Sequence, residues 1–92
     1  MIVRISGEGQ FELADDKQDK LNELDNAVVA SCDADDEAAF RQQFEQLIEF
    51  VESEGQRVPD DELVGSDVIV PPRDTSLAEA KTEFSGEGLI PD

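Results

Sequence analysis

The side chains in this 92-residue sequence that could do chemistry are mostly carboxylates. There are 24 Asp and Glu against seven Lys and Arg, one cysteine (Cys32), and no His. Three chemistries suit such a set: cation binding, carboxylate acid–base work and thiol nucleophilicity. Asp33-Ala34-Asp35-Asp36-Glu37 begins like a calcium loop. Its sixth position is Ala38, where the sharp turn needs glycine, and its twelfth is Phe44 instead of a bidentate Glu. It is therefore expected to form a turn and a helix cap. Asp60-Asp61-Glu62 reads as a solvated loop. Acid–base work needs a carboxyl raised by burial, and no carboxylate lies in an apolar run that would bury it. Glu12 and Glu49 fall on the polar faces of their elements. Cys32 has no His to activate it and lies on an apolar stripe, so it is expected to be a small core residue. Gly7 and Gly9 precede a strand instead of a helix, which is not a dinucleotide fingerprint, and no phosphate loop is present. The expectation is no catalytic residue, no cofactor and no metal site, and hence no enzyme.

The charge balance narrows the classes of partner. The formal charge is −17, and the bases (Arg4, Lys17, Lys20, Arg41, Arg57, Arg73 and Lys81) are scattered. Without a Lys/Arg cluster there are few counterions to release from a nucleic acid, and anionic lipid headgroups repel the chain. Three readings of the acidity remain open. A very salty cytosol would screen the self-repulsion, since the Debye length falls to about 3 Å near 1 M salt. The partner could instead be basic, or the chain could be a disordered acidic tail. The last is disfavoured because the apolar residues are patterned. A single cysteine allows no intrachain disulfide and suits a reducing compartment. No basic segment followed by a long apolar run opens the chain, and no stretch approaches the ~20 apolar residues of a membrane span. These features predict a cytoplasmic protein whose membrane role, if any, runs through another protein.

The elements that would hold these side chains follow from hydrophobic period. Met1, Val3 and Ile5 alternate with Ile2 and Arg4. After the turn Ser6-Gly7-Glu8-Gly9, Phe11 and Leu13 alternate again, which predicts an N-terminal β-hairpin with a loop of about four residues. Asp15-Asp16 are expected to cap a helix from about residue 16 to 31, with Leu21, Leu24, Ala27, Val28 and Cys32 as its stripe. Asp33–Asp36 breaks the pattern and offers a second cap. Phe40, Phe44, Leu47, Ile48 and Val51 then predict a second helix ending at Gly55 as its C′ residue. Residues 56–65 read as an acidic loop. Val68-Ile69-Val70 reads as a short, buried type of strand stopped by Pro71-Pro72. Ser76 and Glu79 form a capping box for a short third helix with Leu77, Ala80 and Phe84 inward. Leu89-Ile90-Pro91-Asp92 is an apolar tail with an acidic tip.

In order along the chain, several stretches together resemble the PspA-associated domain family, PspAA. They are Met1-Ile2-Val3-Arg4-Ile5-Ser6-Gly7-Glu8-Gly9-Gln10-Phe11, Leu21-Asn22-Glu23-Leu24-Asp25, Asp36-Glu37-Ala38-Ala39-Phe40, Val58-Pro59-Asp60-Asp61-Glu62-Leu63, Ser66-Asp67-Val68-Ile69-Val70-Pro71-Pro72 and Glu87-Gly88-Leu89-Ile90-Pro91. The resemblance implies a non-enzymatic partner of PspA-type proteins of the phage-shock envelope-stress response. Those are long helical hairpins, similar to ESCRT-III and Vipp proteins, that coat and protect membranes. The acidity exceeds what that family implies and fits a salt-loving source.

The expected architecture is therefore a single α+β domain over residues 1–92. A small β-sheet, made of the N-terminal hairpin plus a short third strand, packs against an antiparallel helical hairpin and a short C-terminal helix. The expected function is protein–protein binding to, and modulation of, a PspA-like partner, with no direct nucleic acid, membrane insertion or small-molecule substrate. Leu89 and Ile90 are the candidate partner-binding residues. The alternative is an acidic decoy that mimics nucleic acid or sequesters a basic regulator. A decoy needs carboxylates spaced like phosphates on one face, whereas here they occur on every element.

Overall fold

Period-two alternation at the start of the chain builds the β-hairpin on which the rest is laid. The computed structural model describes residues 1–59 and 65–83. β1 (Ile2–Ile5) pairs antiparallel with β2 (Gly9–Glu12), with Ile5 opposite Gly9. The turn is closed by Glu8 N–H donating to the Ile5 carbonyl at 2.9 Å. Gly7 takes φ +84° at the third turn position, a left-handed conformation that glycine adopts without strain. The loop is thus one residue shorter than the sequence suggests.

Two helices follow. Asp15–Lys17 form a 3-10 turn, and α1 spans Gln18–Asp33. Neither Asp15 nor Asp16 caps α1 through its side chain, contrary to expectation, because the 3-10 turn places both ahead of the first α-helical turn. The link Ala34–Asp36 turns the chain back into α2 (Glu37–Glu54). Asp35 takes φ +57° there, and Asp36 Oδ1 caps α2 by accepting from Ala39 N–H at 3.1 Å. So short a link between helices of 16 and 18 residues makes an antiparallel pair. Leu21, Val28 and Cys32 of α1 and Phe40, Phe44, Leu47, Ile48 and Val51 of α2 are buried. The Phe40 and Phe44 rings stack at 5.3 Å. Gly55 does not take the left-handed C′ conformation expected of it. It is extended (φ −88°, ψ 159°) because the chain enters a strand directly. Its missing side chain matters for space, since a Cβ would lie 2.6 Å from the Val51 carbonyl oxygen and 3.0 Å from Phe11 Cβ.

That strand, β3 (Gln56–Val58), lies where the sequence predicts loop. It pairs antiparallel with β2, and β4 (Val68–Val70) pairs parallel with β1, giving a four-stranded sheet of order β3-β2-β1-β4. Val3, Ile5, Phe11, Leu13, Val68 and Val70 face the helices in one core. α3 (Leu77–Glu83) closes this layer with Ala80 buried. Its capping box forms as predicted: Ser76 N–H donates to Glu79 Oε1 at 3.1 Å, and Glu79 N–H to Ser76 Oγ at 3.2 Å. The fold is the expected α+β arrangement, with one more strand in the sheet.

Candidate functional site

A sheet packed against helices on one side presents its other side outward, and register assigns the residues there. Ile2, Glu12 and Gln56 lie in one row across β1, β2 and β3, and Val58, Gln10, Arg4 and Ile69 lie in the next across all four strands. Ile69 is 58% exposed, although its strand reads from sequence as buried. The correction is geometric: β4 is an edge strand covered on one face, so Val68 and Val70 point in and Ile69 points out. Val58 is buried at the other end of its row. Gln10 Nε2 donates to Ser66 Oγ at 2.7 Å, bringing the segment that enters β4 over β2. Arg4 and Ile69 are left exposed, side by side.

The chain as a whole is acidic, and most of its bases are paired within it. Arg73, just before α3, donates from Nε and Nη2 to the two oxygens of Glu8 at 3.2 and 3.0 Å, and from Nη2 to Glu52 at 2.7 Å. Glu45 lies 4.0 Å from Nη1. One guanidinium thereby ties the β1–β2 turn, α2 and the approach to α3 together, and its hydrogen bond holds the Glu8 carboxyl below its ordinary range. Lys17 pairs with Glu54, Lys20 with Glu23 and Lys81 with Asp35. Arg57 lies 5.9 Å over the Phe11 ring. Arg4 and Arg41 have no ion pair among the described residues.

The candidates raised by sequence are placed as follows. In the calcium-like stretch Asp36 caps a helix and Asp35 pairs with Lys81. No group of three or more His, Cys, Asp or Glu among the described residues could hold a metal ion. Cys32 is buried, with its thiol pushed up in pKa by burial and then by the charge of Asp33. Leu89, Ile90, Phe84 and Asp60-Asp61-Glu62 lie outside the described residues.

One expectation is overturned: Asp25 is a buried carboxylate, 1% exposed. It occupies the same α1 stripe as Leu21, Val28 and Cys32, at i+4 from Leu21 and i−3 from Val28. Helical spacing alone could have found it, but its polar identity masked the position. No buried side-chain nitrogen or oxygen among the described residues lacks a hydrogen-bond partner.

An open depression of about 420 Å³ lies where β2 meets the helices, lined by Met1, Glu12, Leu13, Ala14, Asp15, Glu54 and Gln56. Three carboxylates on an open rim hold no dry, shaped cavity for a small substrate. No described helix is long and apolar enough to cross a membrane. What the described surface offers is an exposed apolar and cationic pair, Ile69 and Arg4, on an otherwise acidic body.

The model of one protein family, described as PspA-associated protein, matches the chain over residues 1–92. No curated protein and no solved structure matches it.

Proposed function

The chain belongs to the PspA-associated protein family, and from that premise we propose that it binds and modulates a PspA-like, ESCRT-III-related membrane-stress protein. The observation that carries this reading is the family match over residues 1–92. The surface supports it. A body of formal charge −17 is repelled by anionic lipid, so it reaches a membrane through a lipid-binding partner. In a salty cytosol, exposed ion pairs contribute little and buried apolar contacts carry affinity. The contact is then a small apolar patch ringed by carboxylates, to which the C-terminal Leu89 and Ile90 contribute. The protein acts in the cytoplasm, without catalysis and without a cofactor.

The test is co-purification and liposome sedimentation in molar KCl. The chain is expected to co-purify with a PspA-like protein, and to sediment with anionic liposomes when that protein is present but not alone. A chain that ignores the PspA-like protein, yet displaces DNA from a basic regulator, would replace this reading with the decoy.

A further inference from the structure

The sheet has two faces, and the described helices occupy one of them. On the other, Arg4 and Ile69 are register partners on adjacent strands, about 5 Å apart, and both are exposed. Ile69, at 58%, is the exposed large hydrophobic residue among those described. Arg4 is the more unexpected of the two. In a chain with 24 carboxylates and seven bases, five bases hold a carboxylate or an aromatic ring among the described residues, and Arg4 holds neither there. A guanidinium beside an exposed branched apolar side chain complements an apolar surface that carries a carboxylate at its margin.

Resting on the reading that the partner is a long helical protein, we infer that the Arg4–Ile69 face is its docking surface. The docked element is an amphipathic helix, its apolar stripe against Ile69 and an Asp or Glu one turn away against Arg4. Spacing supports a helix as the occupant. Residues three or four apart on a helix lie about 5–6 Å apart, which matches the interval between adjacent strands. Charge selects the kind of helix. A basic helix would favour the acidic helical surface on the far side, whereas the outward Arg4, with uncharged Gln10 and Ile69 beside it, favours a carboxylate. A second copy of this chain is a poorer fit, because the row that holds Arg4 and Ile69 has Val58 and Gln10 as its other members and so offers an opposing Arg4 no carboxylate.

The experiment is titration of the isotope-labelled chain with a PspA-like protein, followed by amide resonances, with melts of each variant alone. Binding is expected to perturb Arg4, Gln10 and Ile69. Ile69→Asp, at an exposed position, should leave the melt unchanged and weaken binding about tenfold or more. Should Asp unfold the strand, Ile69→Thr keeps β-branching and is expected to weaken binding in the same direction. Arg4→Glu should weaken binding at about 0.5 M KCl and less so at about 3 M, as screening grows. Arg41→Glu makes the same charge change on α2 and is expected to leave binding intact. Equal losses from Arg41→Glu and Arg4→Glu would overturn the inference, because net charge would then be the cause. So would unchanged binding by Ile69→Asp, loss confined to a Leu89→Asp, Ile90→Asp double variant, or self-association through this face without the partner. If the wild-type chain does not bind at all, the partner reading itself fails, an outcome distinct from these.

Discussion

Replacing Arg73 tests how a body with this much negative charge holds together. Arg73 makes two hydrogen bonds to Glu8 and one to Glu52, linking residues 65 and 21 positions apart in sequence. It is about two-fifths exposed, and Glu8 and Glu52 about a third, so each pair must be valued as a partly exposed one. Such pairs contribute about 0.2–1 kcal/mol each, the forked contact to Glu8 standing toward the top of that range. Removing the cation also leaves Glu8, Glu45 and Glu52 clustered without neutralisation, a repulsion of similar size at low salt. The sum for Arg73→Met, which keeps most of the stem packing, is about 1–2 kcal/mol. For a domain of this size that lowers the midpoint by roughly 5–10 °C. The assay is thermal denaturation of both proteins from the lowest KCl concentration at which the wild type melts cooperatively up to about 3 M. There the Debye length is below about 3 Å and the difference should shrink to about 2 °C or less, while both midpoints climb. The pH dependence has a definite sign. Glu8 has a folded pKa below its ordinary 4.5, so its contribution is complete above that value and is lost as pH falls through the lower, folded value. The gap between wild type and variant should therefore close below about pH 4.5. A midpoint difference independent of salt, or none at low salt, would refute this account of Arg73.

Three further substitutions probe the scaffold. Gly55→Ala should destabilise the fold by about 1–3 kcal/mol, because the new Cβ would meet the Val51 carbonyl at 2.6 Å; denaturant unfolding measures it, and an unchanged midpoint would show that the β3 entry is loose. Asp36→Ala removes the cap on Ala39 N–H and should cost about 1 kcal/mol in the same assay, with Asp36→Asn restoring most of it. Cys32→Ala should cost about 1 kcal/mol, and the native thiol, buried and raised in pKa, should react slowly with a labelling reagent until the protein unfolds.

Much of this architecture is legible in the residues, and the gaps have physical causes. The hairpin and both long helices follow from period two and from i, i+3, i+4 spacing, sharpened by Asp36 and by the Ser76–Glu79 box, because those signals are local. β3 escapes because Gln56-Arg57-Val58 has one apolar residue in three and owes its strand to pairing with β2. Ile69 reads as buried within a three-residue apolar run, and only its edge position exposes it. Asp25 sits where the helical period puts core, yet its side chain reads as surface. The Arg73 contacts cross long sequence separations that no local pattern records. The outward Arg4–Ile69 pair likewise requires the parallel β1–β4 register, which composition and period leave open.

The most direct test of the central claim is calorimetric titration of this chain into a purified PspA-like protein in molar KCl, repeated at several temperatures. The account predicts saturable binding that persists as KCl rises and carries a negative heat-capacity change, the mark of apolar surface leaving water. No saturable heat at any temperature, or binding that disappears as salt rises, would contradict it.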